Sequence, residues 1–232
     1  IKYYQPDENS TNATVSYYTK GSLVALCLDL TLRLRSSITL DIVMRAGLPL
    51  PETHTPLLFP MTHDGEKLAR AWLKAAQTVL PWLQAGREVL FLVEGDASTY
   101  ATFGHLARTL RGLDERVPVR TIAGVNSFTA ACADVGEPFA EQDDTVAIVP
   151  AAYGVGAVDR LLPDFDTLVL MKIKPLIEDL LDWLEARDLL AGAHCVERVG
   201  ALDERRLSGP ELLTLRGSKV SYLSLLIVKN PH

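Results

Sequence analysis

Apolar residues recur in two rhythms along the chain, and the change from one to the other marks out its elements. Val89–Val93 is a short apolar run followed at once by Glu94-Gly95-Asp96. From Ser98 the apolar positions fall at Tyr100, Phe103, Leu106 and Leu110. That order predicts a buried strand, a tight acidic turn and a helix. Val117–Ile122 predicts a second strand, which Gly124-Val125-Asn126-Ser127 turns into a helix over Phe128–Val135. Asp144–Val149 is a third, ending in Pro150-Ala151-Ala152-Tyr153-Gly154. Thr167–Ile173, Ala193–Val199 and Ser221–Lys229 read as further strands, with helices over Val158–Leu162, Pro175–Arg187 and Ser208–Arg216. Alternating strands and helices predict an α/β fold with right-handed crossovers and a largely parallel sheet.

Ahead of this core, Asp64 is placed to cap a helix whose apolar face is Leu68, Trp72, Ala75, Ala76 and Val79. Pro81 should kink or end it. Ser16–Leu34 and Ser37–Arg45 carry helical spacing, and the proline- and threonine-rich stretch Gly47–Pro60 reads as a linker. The expected organisation is a helical segment with its linker over residues 1–56, an incomplete N-terminal α/β domain over 57–152, and a C-terminal α/β domain over 153–232.

Composition narrows the chemistry. The 232 residues are 48% hydrophobic and 22% charged, enough for ample core, and the net charge of −6 argues against a nucleic-acid surface. Cys27, Cys132 and Cys195 have no paired spacing and read as small buried hydrophobes in a reducing compartment. No apolar run approaches the roughly 18 residues of a membrane span. With no signal-peptide core in the opening residues, the expected location is cytoplasmic, without a membrane partner. His54, His63, His105, His194 and His232 show no ligand spacing, so no metal site is expected.

In open α/β sheets, ligands bind beyond the carboxyl ends of strands. Gly95, Asp96 and Ser98 therefore admit two readings from spacing alone. One is a ligand loop in which Gly95 admits close backbone approach and Asp96 accepts ligand hydrogen bonds. The other is a helix-capping turn. Asn126 and Ser127 carry the same alternative, an anion-binding turn or a cap. Lys172 and Lys174 follow an apolar strand and are either solvated strand ends or partners for an acidic substrate.

The stretches LLFPMTHDGEKLARAWLKAA, FLVEGDASTYATFGHL, VRTIAGVNSFTAACADVG, IVPAAYG, TLVLMKI, HCVERVG and SYLSLLIVKN, in this order, resemble the tetrapyrrole (corrin/porphyrin) methylase family from about residue 57 to 230. Phe59-Pro60-Met61-Thr62 and the Tyr222–Val228 ending resemble its C20 branch, which methylates precorrin-2 in cobalamin synthesis. The resemblance implies two α/β domains with S-adenosylmethionine in a trough between them, and S-adenosylhomocysteine as product. It implies cofactor contacts at Glu94, Gly95, Asp96, Thr99, Asn126, Ser127, Ala152, Tyr153, Met171, Arg198 and Val199. An acidic tetrapyrrole substrate makes Lys172 and Lys174 candidate carboxylate partners. Homodimers are common in the family. No general base is implied, because the sulfonium is already an activated donor.

The chain also departs from the pattern. The family opens with a strand and a Gly-x-Gly-Pro-Gly-Asp-Pro loop; residues 1–45 here resemble instead a helical piece of zinc glycyl aminopeptidases, without their His-Glu-x-x-His motif. Ala97 and Ala123 stand where the family usually has proline. Three readings follow: an active methyltransferase, an inactive chimera serving as a structural or interaction protein, and a peptidase remnant. The first two part on cofactor binding.

Overall fold

The computed structural model describes residue 47, residues 55–60, residue 62 and residues 64–231. The helices expected over Ser16–Leu34 and Ser37–Arg45 lie outside the described residues, as do Cys27, His54, His63 and His232. The chain divides into two compact units, Ile1–Asn126 and Ser127–His232.

In the first unit, Asp64 starts helix α1 (Gly65–Gln84) by accepting from the N–H groups of Glu66 and Lys67, both at 3.1 Å. Ala75, Ala76 and Val79 bury the helix face against Leu57, Phe59, Leu106 and Leu110. Pro81 neither ends the helix nor stops it short of Gln84. The last turn is held by N–H donation from Ala85 to Pro81 O and from Arg87 to Trp82 O, both at 3.0 Å. Leu80 and Leu83 pack on the same cluster, so tertiary burial offsets the bond that proline removes. Helix α2 (Phe103–Leu113) begins later than Ser98, because the preceding turn is diverted by Asp96 and by Tyr100 in the left-handed region (φ 51°).

The strands expected over Val89–Val93 and Val117–Ile122 do not form a ladder among the described residues; Val93 alone makes an isolated bridge. Leu90 is 71% exposed, and Val89 and Ile122 are also exposed. An apolar run becomes a strand only where neighbouring strands take up its N–H and C=O groups.

The second unit is built on a five-stranded sheet: β1 (Val146–Pro150), β2 (Thr167–Met171), β3 (Ala193–Glu197), β4 (Arg205–Ser208) and β5 (Ser224–Lys229), in the order β1-β2-β5-β3-β4. Only β1 and β2 pair in parallel; β5 runs antiparallel to both β2 and β3, and β4 antiparallel to β3. The largely parallel expectation is thus corrected to a mixed sheet. The chain reverses at the β3–β4 hairpin, and after the 3-10 turn over Gly209–Leu215 β5 enters between β2 and β3 in the same direction as β4. The segment expected to be helical over Ser208–Arg216 forms this 3-10 helix, which buries Leu212 and Leu215. The four-residue edge strand β4 is too short to show a period in the sequence.

Side chains alternate strictly between the two faces of the sheet. Leu168, Leu170, Cys195, Leu226 and Val228 meet the helix α5 (Ile177–Ala186) side through Leu180, Leu181 and Leu184. Val169, Val196, Leu225 and Ile227 meet helix α3 (Ser127–Val135) through Phe128, Ala131 and Cys132. A short helix, α4 (Val155–Asp159), follows β1. The join expected near residues 150–157 lies inside this unit, where β1 and β2 pair on either side of it. Cys132 and Cys195 are buried free thiols, and burial pushes the Cys195 thiol up to about 12. Among the described residues, no helix is long and apolar enough to cross a membrane.

Candidate functional site

In the first unit the acidic turn is a backbone crossing. Gly95 takes φ 75°, a conformation that glycine adopts without a Cβ penalty. A Cβ placed on Gly124 would collide with the Gly95 carbonyl oxygen and stand 3.3 Å from Asp96 Cα. Asp96 fastens the crossing and is buried. Its Oδ1 accepts from the Ser98 N–H at 2.8 Å and from the Ser98 hydroxyl, with the Thr99 hydroxyl at 3.4 Å. Its Oδ2 accepts from the Gly124 N–H at 2.8 Å. Both carboxylate oxygens are thus engaged within the protein. Asp96 joins the Gly95–Thr99 turn to the Gly124–Ser127 turn, two stretches linked in the sequence reading only by their likeness. Glu94 and Thr99 are half-buried beside it.

Burial raises the Asp96 pKa, but bonds from the Ser98 hydroxyl, the Gly124 N–H, the Ser98 N–H and the Thr99 hydroxyl together hold it below the usual 3.8. A depressed folded-state pKa gives stability that is fully present above the unfolded value and is lost as pH falls through the folded one. The Asp96 contribution is therefore expected to be constant from about pH 5 upward and to fade below about pH 4. Thermal melts across that range should show an acid limb that Asp96→Asn reduces.

In the second unit, β1, β2 and β3 run the same way, so their carboxyl ends share one edge with the amino ends of β4 and β5. That edge gathers Tyr153, Met171, Lys172, Lys174, Arg198 and Val199 from segments spread over the sequence. Ala152 lies in the 3-10 turn directly after β1. Tyr153 is 76% exposed. Lys172 and Arg198, each one residue past its strand, sit in the left-handed region at φ 58° and 55°. Such backbone costs a non-glycine residue roughly 1–2 kcal/mol and turns the chain sharply off the strand end. Lys172 and Lys174 are exposed and have no ion-pair partner among the described residues. Arg198 is paired, its Nε donating to Asp203 Oδ1 at 2.8 Å. Ser127 opens α3, and Asn126 precedes it.

Neither the contact at Gly124 nor the burial of Glu197 is evident from the sequence pattern alone. Gly124 carried a signal in its own motif. Glu197 carried none, since an acidic residue at the end of an apolar strand reads as solvated. The two histidines among the described residues are accounted for by local contacts: His105 stacks on Trp72 at 4.1 Å, and His194 Nδ1 lies 2.8 Å from the Ser208 hydroxyl.

The family model for tetrapyrrole (corrin/porphyrin) methylases matches residues 29–217, beginning ahead of the first of the motifs quoted above. A Methanocaldococcus jannaschii protein named "Probable cobalt-precorrin-2 C(20)-methyltransferase" is 31% identical over 174 residues, covering 75% of this chain and 71% of that protein. A Sinorhizobium precorrin-2 C(20)-methyltransferase is 27% identical over 191 residues, covering 78% of this chain and 76% of that protein. The crystal structure of a Thermus thermophilus uroporphyrin-III-C-methyltransferase matches with a TM-score of 0.54 at 22% identity, over 93% of this chain and 87% of that one. This last likeness is one of fold.

Proposed function

The chain belongs to the tetrapyrrole (corrin/porphyrin) methylases, and from that premise we propose that it transfers a methyl group from S-adenosylmethionine to C20 of precorrin-2, or of its cobalt form, in cobalamin biosynthesis. The observation that carries this reading is the family match over residues 29–217, joined to relatives at 31% and 27% identity that are both named for C20 methylation of this substrate.

The residues suit such a cofactor. Its ribose hydroxyls, adenine edge and amino-acid end call for polar groups at close backbone approach more than for one strong charge. Glu94, Gly95, Asp96, Thr99 and Asn126 supply these in the first unit. In the second unit Ser127, Tyr153 and Arg198 are the polar candidates, and Ala152, Met171 and Val199 are apolar ones. Asp96 acts through the turn it fastens, since both its oxygens are engaged. The bound cofactor supplies an activated methyl on a sulfonium. The protein's part is then to orient donor and acceptor and to exclude water. Lys172 and Lys174 attract the substrate's carboxylates. No side chain is needed as a general base for that role.

A second reading, an inactive derivative serving as a structural protein, draws on the exposure of Val89, Leu90 and Ile122 in the first unit. Calorimetric titration of the full chain with S-adenosylhomocysteine separates the two. Micromolar binding is expected for the methyltransferase. A cooperatively folded chain that binds none would favour the inactive derivative.

A further inference from the structure

Glu197 closes strand β3 as a buried residue, 6% exposed overall. A buried carboxylate is costly unless it is hydrogen-bonded. Here Oε1 accepts from the Ser221 N–H at 2.6 Å, and Oε2 stands 3.5 Å from the Arg205 guanidinium. Arg205 is half-exposed and the ion pair is long, so the shorter Ser221 bond is the stronger tie. Three more bonds fix the same segment. Leu223 N–H donates to the Ser221 hydroxyl at 3.1 Å, the Ser224 hydroxyl to Ser221 O at 2.7 Å, and Arg198 N–H to Leu223 O at 2.7 Å. Tyr222 is thus held on both sides, yet stays 42% exposed.

Its place matters. β5 begins at Ser224 opposite Glu197, and Leu225 pairs with both Met171 and Val196. Tyr222 therefore stands just past the end of the ladder, on the edge that carries Lys172, Arg198 and exposed Tyr153. A flat conjugated macrocycle bearing carboxylates calls for two things together, an aromatic face and cations.

We propose that Glu197 is a positioning residue that fixes the Ser221–Leu223 segment, so that Tyr222 stacks on the tetrapyrrole and helps select it. The proposal rests on the tetrapyrrole reading above. Neither residue is among the candidate cofactor contacts, and that sets the test.

The full chain is titrated with precorrin-2 by fluorescence quenching and with S-adenosylhomocysteine by calorimetry, and methyl transfer is measured alongside. Tyr222→Ala should weaken precorrin-2 binding about tenfold and raise KM with kcat little changed, in line with the worth of one aromatic stack plus its buried area. S-adenosylhomocysteine affinity should move less than about twofold. Tyr222→Phe should stay near the wild type. Glu197→Ala should reproduce the loss, and Glu197→Gln, which keeps an oxygen for the Ser221 N–H, should recover most of it. Should Glu197→Ala fail to fold, Tyr222→Ala and Glu197→Gln decide the matter. Unchanged precorrin-2 affinity in Tyr222→Ala overturns the proposal, as does an equal fall in both affinities or a Glu197→Gln as damaging as alanine. A wild-type chain that binds S-adenosylhomocysteine but no precorrin-2 overturns the substrate reading, and this proposal with it. Wild-type binding with indifferent variants overturns the proposal alone.

Discussion

Gly124→Ala is expected to lower S-adenosylhomocysteine affinity at least about tenfold and to destabilise the first unit by about 1–3 kcal/mol. The cause is local and steric. The added methyl would occupy the space of the Gly95 carbonyl oxygen, with the Gly95 carbonyl carbon at 3.1 Å and Asp96 Cα at 3.3 Å. These are backbone atoms, and no side-chain rotation relieves the collision. The two turns must part, and parting them breaks the bond from the Gly124 N–H to Asp96 Oδ2. Asp96 is then left buried with half its acceptors unmet, a further cost. Gly95→Ala provides the comparison. It strains a backbone at φ 75°, but its methyl meets nothing nearer than Val125 O at 3.8 Å. Calorimetry and thermal melts of both variants should rank Gly124→Ala as the more damaging in binding. Equal affinities for Gly124→Ala and the wild type would show that the crossing does not serve the cofactor.

Leu226→Ala is expected to cost about 2–5 kcal/mol, a large share of the total stability of a domain, which is about 5–15 kcal/mol. Leu226 is 1% exposed on β5, the strand that pairs with both β2 and β3. It lies opposite Leu170 on one side and Cys195 on the other, in the cluster that includes Leu180, Leu181 and Leu184. Truncation opens a cavity in a place hemmed in by strands that cannot collapse onto it. Urea unfolding should show a lower midpoint with an unchanged slope. A loss below about 1 kcal/mol would mean that the core there is loosely packed.

The second unit was legible in the sequence because both faces of its sheet are buried. Runs such as Leu168–Leu170 and Leu225–Val228 are apolar at every position, and that is the signature of a covered strand. Strand direction carries no such signature. β5 is as apolar as a parallel strand would be, and the reversal it inherits is made upstream, at the hairpin between β3 and the short polar strand β4. Pro81 does not end its helix for a related reason: a local breaker is outweighed by the packing of half-buried Leu80 and Leu83, which sequence spacing does not weigh. In the first unit, Val89–Val93 had the composition of a strand, but composition does not supply ladder partners.

The candidate site was legible as residue types at strand ends and not as a network. Gly95, Asp96 and Asn126 were recognisable from their turns. That Asp96 spends its hydrogen bonds on Ser98, Thr99 and Gly124 could be seen only in three dimensions, because the partners lie up to 28 residues apart. Glu197 was invisible for the same reason, its partner Ser221 being 24 residues away.

The most direct measurement is methyl transfer itself. The purified full chain is incubated with precorrin-2 and S-adenosylmethionine carrying a labelled methyl, and the product is analysed by mass spectrometry and NMR. One labelled methyl at C20, formed with S-adenosylhomocysteine in equal amount, is the predicted result. A folded chain that binds S-adenosylhomocysteine yet leaves precorrin-2 unmethylated, or methylates it at another carbon, would contradict the account.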